Sequence, residues 1–456
     1  MGRRLARRPT YARPMDVTGE VTELLQALIR NACVNDGTAD SGAESRNADL
    51  LAGELEGAGC DVARYEPHPG RTSVLARIEG SDPAAPGLLL MGHTDVVPVN
   101  PDGWSRDPFG GELVDGEVWG RGAVDMLNLT ASMAVAFKHL ARGGFTPKGT
   151  IAYLGVADEE ALGTWGAEWL AANQADEVSL PYVITESGGI PAPRPDGIRL
   201  PVVVAEKGSH WCTLSVAGTP GHASQPFRTD NALVTAAEVV RRLASYRPQT
   251  QIHETWRRYV EGMGFSTERQ RALLDPDGLE AFCETLPLGL GRNAHACTHT
   301  TIAPTMVHGG VKTNVIPDRV DLQVDIRTLP GQTSGDIEAL LADALGDLAG
   351  RVTVLGANHD DSTASPIDTP LWDAMQRVCE GFYPGSAIVP TMTVGATDAR
   401  FFRSLGSTAY GFGLFSQRLR YEDYAVMFHG DDERVDVESL RLSTEMWTAL
   451  AEDFLA

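Results

Sequence analysis

The spacing of apolar residues along the chain predicts alternating helices and strands. Apolar residues at positions 21, 24, 25, 28 and 29 recur at helical spacing, which predicts an amphipathic helix near the N-terminus. Strand-like runs such as LLLMGH, TIAYLGVADEE and YVITESGG follow, and they alternate with helical stretches such as LTASMAVAFKHLAR and GAEWLAAN. This order favours an α/β domain whose central sheet is mainly parallel and flanked by helices.

The pattern changes near residue 206 and changes back near residue 361. Between these points HWCTLSVAGTPGHASQP and RVDLQVDIRTL alternate like half-exposed strands, and a helical stretch follows each of them. We therefore predict a smaller α+β sandwich, residues 206–361, inserted into a main domain of residues 16–205 and 362–456. Residues 1–15 contain five arginines and no apolar segment, which predicts a disordered tail rather than a secretory signal, with Met15 as an alternative start.

Length and charge narrow the class of protein. A chain of 456 residues is too long for a single core, which agrees with two domains. A formal net charge of -23 repels phosphate backbones and anionic lipids, so we expect neither a nucleic-acid nor a membrane partner. The six cysteines are scattered without a C-x-x-C pair, which is typical of reduced thiols in a cytoplasmic protein.

Potential metal ligands follow several of the predicted strands. The candidates are His93 after LLLMG, Asp125 in a glycine-rich loop, Glu159 and Glu160 after IAYLGVAD, Glu186 after YVIT, and His429 in MFHGDDER. The carboxyl ends of parallel strands meet at one edge of a sheet, where ligands commonly bind. We therefore expect these side chains to converge in one crevice.

The charge of this set favours two bound cations. Without Glu159, the set has three carboxylates and two neutral imidazoles, which carry about three negative charges, and carboxylates packed together without a cation repel one another. Two divalent ions and one bridging hydroxide would bring the sum to zero. Imidazole and carboxylate ligands without thiolate suit Zn²⁺, with Co²⁺ or Mn²⁺ as alternatives.

Seven short motifs then carry a family resemblance. In chain order they are GHTDVVPV with a following W and DPF, GRGAVDM, ADEEALG, GTPGHASQP, NVIPD, VGATDAR and HGDDE. In this order they resemble the co-catalytic zinc hydrolases that include aminoacylase, succinyl-diaminopimelate desuccinylase, bacterial glutamate carboxypeptidase and carboxypeptidase S. The resemblance extends from about Val17 to the C-terminus. One position departs from the family pattern, because Leu127 follows GRGAVDM where the family usually has a lysine.

The resemblance implies a role for each ligand candidate. His93 and Glu186 would bind one metal ion, Glu160 and His429 the other, and Asp125 would bridge the two ions. It also implies a cis peptide bond between Asp125 and Met126, and it makes the inserted sandwich a lid and dimerisation domain.

Two further residues near the strand ends are assigned roles in catalysis. Adjacent residues at a strand exit point apart, so only one of Glu159 and Glu160 can be a ligand. The resemblance makes Glu160 the ligand, and Glu159 would then be the general base that takes a proton from the metal-bridging water and delivers it to the leaving amine. Asp95 would accept a hydrogen bond from the second ring nitrogen of His93 and fix its tautomer. The alternative for Asp95 is that it caps a turn.

The remaining candidates belong to the motifs around the inserted domain. The resemblance implies that His222 reaches across a dimer interface and stabilises the oxyanion of the partner's active site. Asn314, Arg327, Gly395 and Thr397 would contact the substrate, with Arg327 binding a carboxylate. Arg327 could equally form an ion pair with a neighbouring aspartate, and Thr397 could cap a helix.

Together these expectations describe a dinuclear metal-dependent amide hydrolase. Its substrate would be an N-acyl amino acid or a short peptide with a free carboxylate beside the scissile bond, and it would act as a cytoplasmic homodimer. A dipeptidase and an N-succinyl-diamino-acid desuccinylase remain alternatives among enzymes. A non-catalytic protein that binds zinc or amino-acid conjugates is the alternative from another class.

Overall fold

The computed structural model describes residues 17–456, apart from the side chains of residues 357–359. The tail predicted for residues 1–15 lies outside the described residues. Two compact units are present, the first formed by the described part of Met1–Val202 with Pro366–Ile388 and Phe401–Ala456, the second by Val203–Ser365 with Val389–Arg400. Among the described helices, none combines the length and the apolar character needed to cross a bilayer.

The helices and strands follow one another along the chain as predicted for an alternating fold. The helices are α1 Val17–Arg30, α2 Ser45–Glu56, α3 Leu127–Arg142, α4 Ala167–Asn173, α5 Ala175–Val178, α6 Ala232–Ser245, α7 Glu254–Gly262, α8 Thr267–Leu273, α9 Leu279–Glu284, α10 Leu288–Ala296, α11 Ser334–Leu345, α12 Pro370–Phe382, α13 Ala399–Ser404, α14 Tyr421–Met427 and α15 Val437–Phe454. The strands are β1 Val62–His68, β2 Arg71–Ile78, β3 Leu88–His93, β4 Glu112–Val114, β5 Glu117–Trp119, β6 Ile151–Val156, β7 Tyr182–Thr185, β8 Ala192–Arg194, β9 Gly197–Glu206, β10 Gly208–Ala217, β11 Gly221–His222, β12 Thr301–Gly309, β13 Val315–Ile316, β14 Arg319–Thr328, β15 Val352–Asp360, β16 Thr363–Ala364, β17 Ala387–Thr393, β18 Thr408–Gly411 and β19 Arg434–Asp436.

The first unit is built on a sheet with the strand order β1-β2-β6-β3-β7-β18-β9. The pairs β3–β6, β3–β7 and β7–β18 are parallel, whereas β1–β2 and β2–β6 are antiparallel. Every residue of β3 and β6 is buried, which explains their continuous apolar sequences, because a parallel sheet is covered by helices on both faces. The predicted mainly parallel sheet is confirmed.

Helix α3 lies at the centre of the packing in this unit. It packs against β3, α1 and α15, and thirteen of its residues, from Leu127 to Leu140, are buried. The small side chains in LTASMAVA allow this close approach. The helix begins at the buried Leu127, two residues after Asp125, so the candidate ligand is held by the core of the unit.

The second unit contains a four-stranded antiparallel sheet with the order β12-β14-β10-β15. The apolar side chains of β10 and β14 that alternate along each strand, such as Leu214, Val216 and Leu322, pack against α6 and α11 and form its core. The half-exposed alternation of these strands thus reflects one face on the helices and one face on solvent.

Two features of the second unit differ from the sequence prediction. Four helices, α7 to α10, lie between α6 and β12, where the sequence analysis assigned no element. Residues 389–400, expected in the main domain, group with the second unit because they pack there: Val389 lies beside Gly262, and the Thr397 amide donates to Glu206.

Candidate metal centre

The five ligand candidates all belong to the first unit, and three of them stand at or near the ends of strands. His93 is the last residue of β3, Glu160 lies in the helical turn Glu159–Ala161 after β6, and Glu186 directly follows β7. Asp125 lies in the turn between β5 and α3, and His429 follows α14. Strands β6, β3 and β7 are neighbours in the sheet, which brings their carboxyl ends together.

The Asp125 carboxylate lies between two imidazoles. Its Oδ1 atom is 3.3 Å from Nε2 of His93, and its Oδ2 atom is 3.0 Å from Nε2 of His429. His429 Nε2 also lies 3.3 Å from Oε2 of Glu160. Two ligand groups result, His93–Asp125–Glu186 and Asp125–Glu160–His429, and within each group the ligand atoms are within 4.8 Å of one another. Asp125 belongs to both groups.

These side chains fit two divalent cations. Two ligand atoms about 2.0 Å from one tetrahedral ion lie about 3.3 Å apart, which is close to the separations seen here. Oε1 of Glu160 is buried and has no hydrogen-bond partner within the described part of the chain. A buried carboxylate oxygen without a donor is costly, and a cation would satisfy it.

The electrostatics of the centre also favour positive charge. Burial lowers the pKa of a histidine, yet the carboxylates of Asp125 and Asp95 raise the pKa of His93 well above its ordinary value. Hydrogen bonds with the carboxylates of Asp125 and Glu160 raise the pKa of His429 to about 10. Burial and the neighbouring charge of Asp125 raise the pKa of Glu160. The cluster attracts protons strongly, as expected of carboxylates arranged to hold cations.

The turns that carry the ligands contain residues with left-handed backbone conformations. Asp158, which precedes Glu159, has φ +69°, Ser187 after Glu186 has φ +74°, and His429 itself has φ +57°. Such conformations cost about 1–3 kcal/mol each for residues other than glycine and concentrate at functional sites. The peptide bond between Asp125 and Met126 is cis, as the resemblance implied.

Asp95 supports His93 and also organises the turn that contains Glu159. Nδ1 of His93 lies 3.0 Å from the main-chain oxygen of Asp95 and 3.5 Å from its Oδ1, so Nε2 is the nitrogen that faces Asp125. The Asp95 carboxylate also accepts hydrogen bonds from the backbone N–H groups of Glu159 at 3.3 Å and Glu160 at 3.1 Å. Asp95 therefore positions three residues of the centre at once.

A buried polar network behind Asp95 was not found by sequence reasoning. Nδ2 of Asn35 donates to Asp95 at 2.8 Å and to Asp158 at 3.0 Å. Arg71 pairs with Glu44 at 2.6 Å and with Asp158 at 3.3 Å, and all three side chains are buried. Through Asp158 and Asp95, the network holds the turn that links β6 to Glu160. Asn35, Glu44 and Arg71 belong to no motif, so their role is visible only in the folded chain.

Removing the Asp95 carboxylate should weaken metal binding. In Asp95→Ala we expect metal affinity to fall about 10- to 100-fold, because the Glu159 and Glu160 amides lose their acceptor and the His93 ring loses the charge of a nearby carboxylate. Competitive chelator titration measures this change. Asp49→Ala, which removes an exposed carboxylate paired with Arg64, serves as the control and should bind metal like the wild type. Unchanged affinity in Asp95→Ala would contradict the supporting role.

His222 lies in the second unit, on β11, which pairs with β13. Its side chain is exposed. The backbone N–H of Ser224 donates to Nδ1 of His222 at 3.2 Å, and the Ser224 hydroxyl lies 2.7 Å from the same nitrogen. A backbone amide can only donate, so Nδ1 accepts and the proton of the neutral ring is on Nε2. Nε2–H is thus available as a donor.

The predicted substrate contacts all lie in the second unit, and two of them already have partners. Nε and Nη2 of Arg327 bind Asp325 at 2.8 and 3.2 Å, which is the ion pair weighed as the alternative. Thr397 is buried, and its backbone N–H and hydroxyl donate to Glu206. Asn314 is exposed, and its carbonyl oxygen accepts from Ala223. The N–H of Gly395 has only a long contact, 3.4 Å, with Thr393.

The imidazoles and carboxylates at the carboxyl edge of this sheet are the ligand types that metal-dependent hydrolases use. Residues 89–453 match the sequence model of peptidase family M20/M25/M40, and the chain belongs to this family. The resemblance stated from the motifs is therefore confirmed. So is the prediction that the chain is a hydrolytic enzyme of the metallopeptidase and aminoacylase kind.

Two curated relatives cover most of the chain. It is 30% identical to N-fatty-acyl-amino acid synthase/hydrolase PM20D1 of Homo sapiens over 379 residues, 80% of this chain and 74% of that protein. It is 27% identical to aminoacylase-1 of Homo sapiens over 398 residues, 86% of each chain.

Two solved structures share the fold over nearly the whole chain. The M20 family metallo-carboxypeptidase Sso-CP2 from Sulfolobus solfataricus superposes with a TM-score of 0.71 at 18% identity, covering 96% of this chain and 99% of that one. The Bacillus subtilis YXEP protein, described as a dinuclear metal binding peptidase, superposes with a TM-score of 0.58 at 15% identity and covers the same shares. These likenesses confirm the predicted fold class.

Proposed function

We propose that this protein is a dinuclear metal-dependent hydrolase of amide bonds in N-acyl amino acids or short peptides with a free carboxylate beside the scissile bond. The observation that carries the proposal is the Asp125 carboxylate, whose two oxygens each face one imidazole and which belongs to both ligand groups. In this assignment His93 and Glu186 hold one ion, Glu160 and His429 hold the other, and Asp125 bridges them.

The named relatives support the substrate class. PM20D1 is named as a synthase and hydrolase of N-fatty-acyl amino acids, and aminoacylase-1 is named for acylated amino acids. The YXEP protein is described as binding two metal ions. The ligand atoms here are nitrogen and carboxylate oxygen without thiolate, so we propose Zn²⁺, with Co²⁺ or Mn²⁺ as substitutes.

Glu159 is the residue that we assign to proton transfer. Two divalent cations, when bound, polarise the amide carbonyl and lower the pKa of water. Glu159 lies beside the ligand Glu160 in the turn after β6, and its negative charge acts on His93. In our proposal its carboxylate takes a proton from the attacking water and delivers it to the leaving amine. Asp95 fixes the amide of Glu159 and so aims this carboxylate.

We assign the oxyanion donor to His222 of a second copy of the chain. Ser224 keeps the proton of the neutral tautomer on Nε2, so this nitrogen is a hydrogen-bond donor. A homodimer through the second unit is supported by its exposed apolar side chains. These lie on the edge strand β12, at the start of α6 and in nearby loops, and they include Val307, Leu233, Val234, Phe227 and Val311.

Binding of the substrate carboxylate is assigned to the residues of the second unit. Arg327 uses Nε and Nη2 for Asp325, so Nη1 is the donor that we assign to the ligand. The Asn314 side chain and the Gly395 amide are further donors in this proposal. Thr397 would hold the loop of Gly395 through its two bonds to Glu206. We also propose a cytoplasmic location, supported by six cysteines that are all free.

Metal removal combined with a substrate panel tests the proposed function. We expect wild-type protein to hydrolyse N-acyl amino acids, and chelation to lower turnover on the order of 1,000-fold, because the cations activate both water and carbonyl. Adding Zn²⁺ back should restore it. Dialysis without chelator is the control.

The panel also separates the alternatives. It contains N-acetyl and longer N-acyl amino acids, dipeptides and N-succinyl diamino acids. A preference for dipeptides or for N-succinyl compounds would replace the aminoacylase assignment with a dipeptidase or a desuccinylase. Full metal loading without turnover of any member would favour a non-catalytic binding protein and contradict the proposal.

A further inference from the structure

A buried carboxylate outside the ligand set contacts the turn that carries Asp125. Glu433 directly precedes β19 and is fully buried. Its Oε1 accepts hydrogen bonds from the backbone N–H groups of Val124 at 2.6 Å and Asp125 at 3.0 Å. Its Oε2 accepts from the backbone N–H of Gly122 at 2.9 Å and from Nη1 of Arg121 at 2.9 Å. All four donors belong to residues 121–125.

Glu433 also belongs to the loop of His429. It lies four residues after this histidine, and two residues of the loop, His429 and Asp432, have left-handed backbones with φ +57° and +56°. The Glu433 carbonyl accepts from the Gly120 amide at 2.9 Å. Nη2 of Arg121 lies 3.4 Å from the main-chain oxygen of His429. The turn of Asp125 and the loop of His429 are therefore joined through one carboxylate and one guanidinium.

We propose that Glu433 is a positioning residue of the metal centre, holding Asp125 and His429 at the separation that one cation requires. This inference rests on the proposed function, because it assumes that these two residues are ligands. The amide that Glu433 fixes is that of Asp125 itself, so the orientation of the bridging carboxylate depends on it directly. Glu433 is a member of neither ligand group.

The bonding pattern requires a carboxylate. Four N–H donors converge on two oxygens, and a carboxylate can accept all four bonds. The amide of glutamine accepts on one oxygen only, and its NH₂ group would face two other donors. Because the site is buried, water cannot replace the lost bonds.

The expected effect of Glu433→Gln is selective. Two members of the group Asp125–Glu160–His429 depend on Glu433. In the other group only the shared Asp125 does, because His93 and Glu186 are held by β3 and β7. We expect the affinity for the ion held by Glu160 and His429 to fall about 10- to 100-fold. The affinity for the ion held by His93 and Glu186 should fall far less.

Co²⁺ titration of the full chain, followed by absorption and equilibrium dialysis, measures both binding steps. His429→Ala and Glu186→Ala serve as references that show which step belongs to which group. We expect Glu433→Gln to weaken the step that His429→Ala removes.

Glu438→Gln is the matched control. It makes the same chemical change in an exposed glutamate on α15 that also pairs with an arginine, Arg441. We expect it to leave both binding steps unchanged. If Glu433→Gln does not fold, Glu433→Asp, which keeps the charge but is one methylene shorter, should show the same selective loss in a milder form.

The outcomes separate this inference from the proposed function. Wild-type protein that binds fewer than two ions contradicts the proposed function itself. Wild-type protein that binds two ions, with Glu433→Gln binding both at unchanged or equally reduced affinity, overturns only the positioning role. In that case a lower unfolding temperature of the metal-free variant would mark Glu433 as a residue of the fold alone.

Discussion

Glu159→Gln should retain both metal ions and lose nearly all amidase activity. The change keeps the shape of the side chain but removes the basic oxygen that we assign to proton transfer. General acid–base catalysis by a positioned carboxylate contributes about 100- to 10,000-fold to a rate, and we expect kcat to fall within this range. The ligand atoms of both groups are untouched, so metal content should stay at the wild-type value.

Steady-state kinetics and metal analysis on one sample check this prediction. Glu168→Gln, an exposed glutamate on α4 in the same segment, is the control and should behave like the wild type. If Glu159→Gln turns over substrate at a rate close to that of the wild type, Glu159 is not the general base. If it loses metal, Glu159 acts as a ligand instead.

His222→Ala should also abolish most activity, and the loss should be reversible by mixing. Removing one oxyanion donor costs about 100- to 1,000-fold in kcat. The side chain is exposed, so we expect folding and metal content to remain intact. The reason to expect rescue is that His222 is assigned to the active site of the partner subunit.

Complementation measures this directly. His222→Ala keeps a complete metal centre, and Glu160→Ala keeps His222, so a mixed dimer contains one complete active site. Random reassortment should restore about a quarter of wild-type activity, since half of the dimers are mixed and each has one working site. A mixture of Glu160→Ala and His429→Ala, which both lack a complete centre, should stay inactive. Failure of the first mixture to regain activity would contradict action across the dimer.

The ligand set was accessible to sequence reasoning because most of its members stand beside a recognisable helix or strand. His93 and Glu186 follow apolar strands, and Asp125 precedes an alanine-rich helix. Because the carboxyl ends of parallel strands meet at one edge of a sheet, this order of strands and helices predicted that the three side chains converge. His429 does not follow a predicted strand, and it was identified from the position of HGDDE in the order of the motifs. The geometry of the structure agrees with this convergence, since the two ligand groups contain all five residues.

Residues that act through other residues were missed for a physical reason. Asn35 and Arg71 lie outside the motifs, and Glu433 ends the HGDDE motif without an assigned role. Each becomes informative only through partners that are distant along the chain. Buried polar networks of this kind have no spacing rule. The helices α7 to α10 were missed because they are short, between six and nine residues, and offer little periodicity. Residues 389–400 group with the second unit through tertiary contacts, which composition does not reveal.

The decisive measurement is anomalous diffraction from crystals of the zinc-loaded enzyme, recorded at the zinc edge. Our account requires two strong peaks about 3.5–4 Å apart, one on each side of the Asp125 carboxylate, with an imidazole nitrogen bound to each. A single peak, or zinc bound elsewhere on the chain, would contradict it.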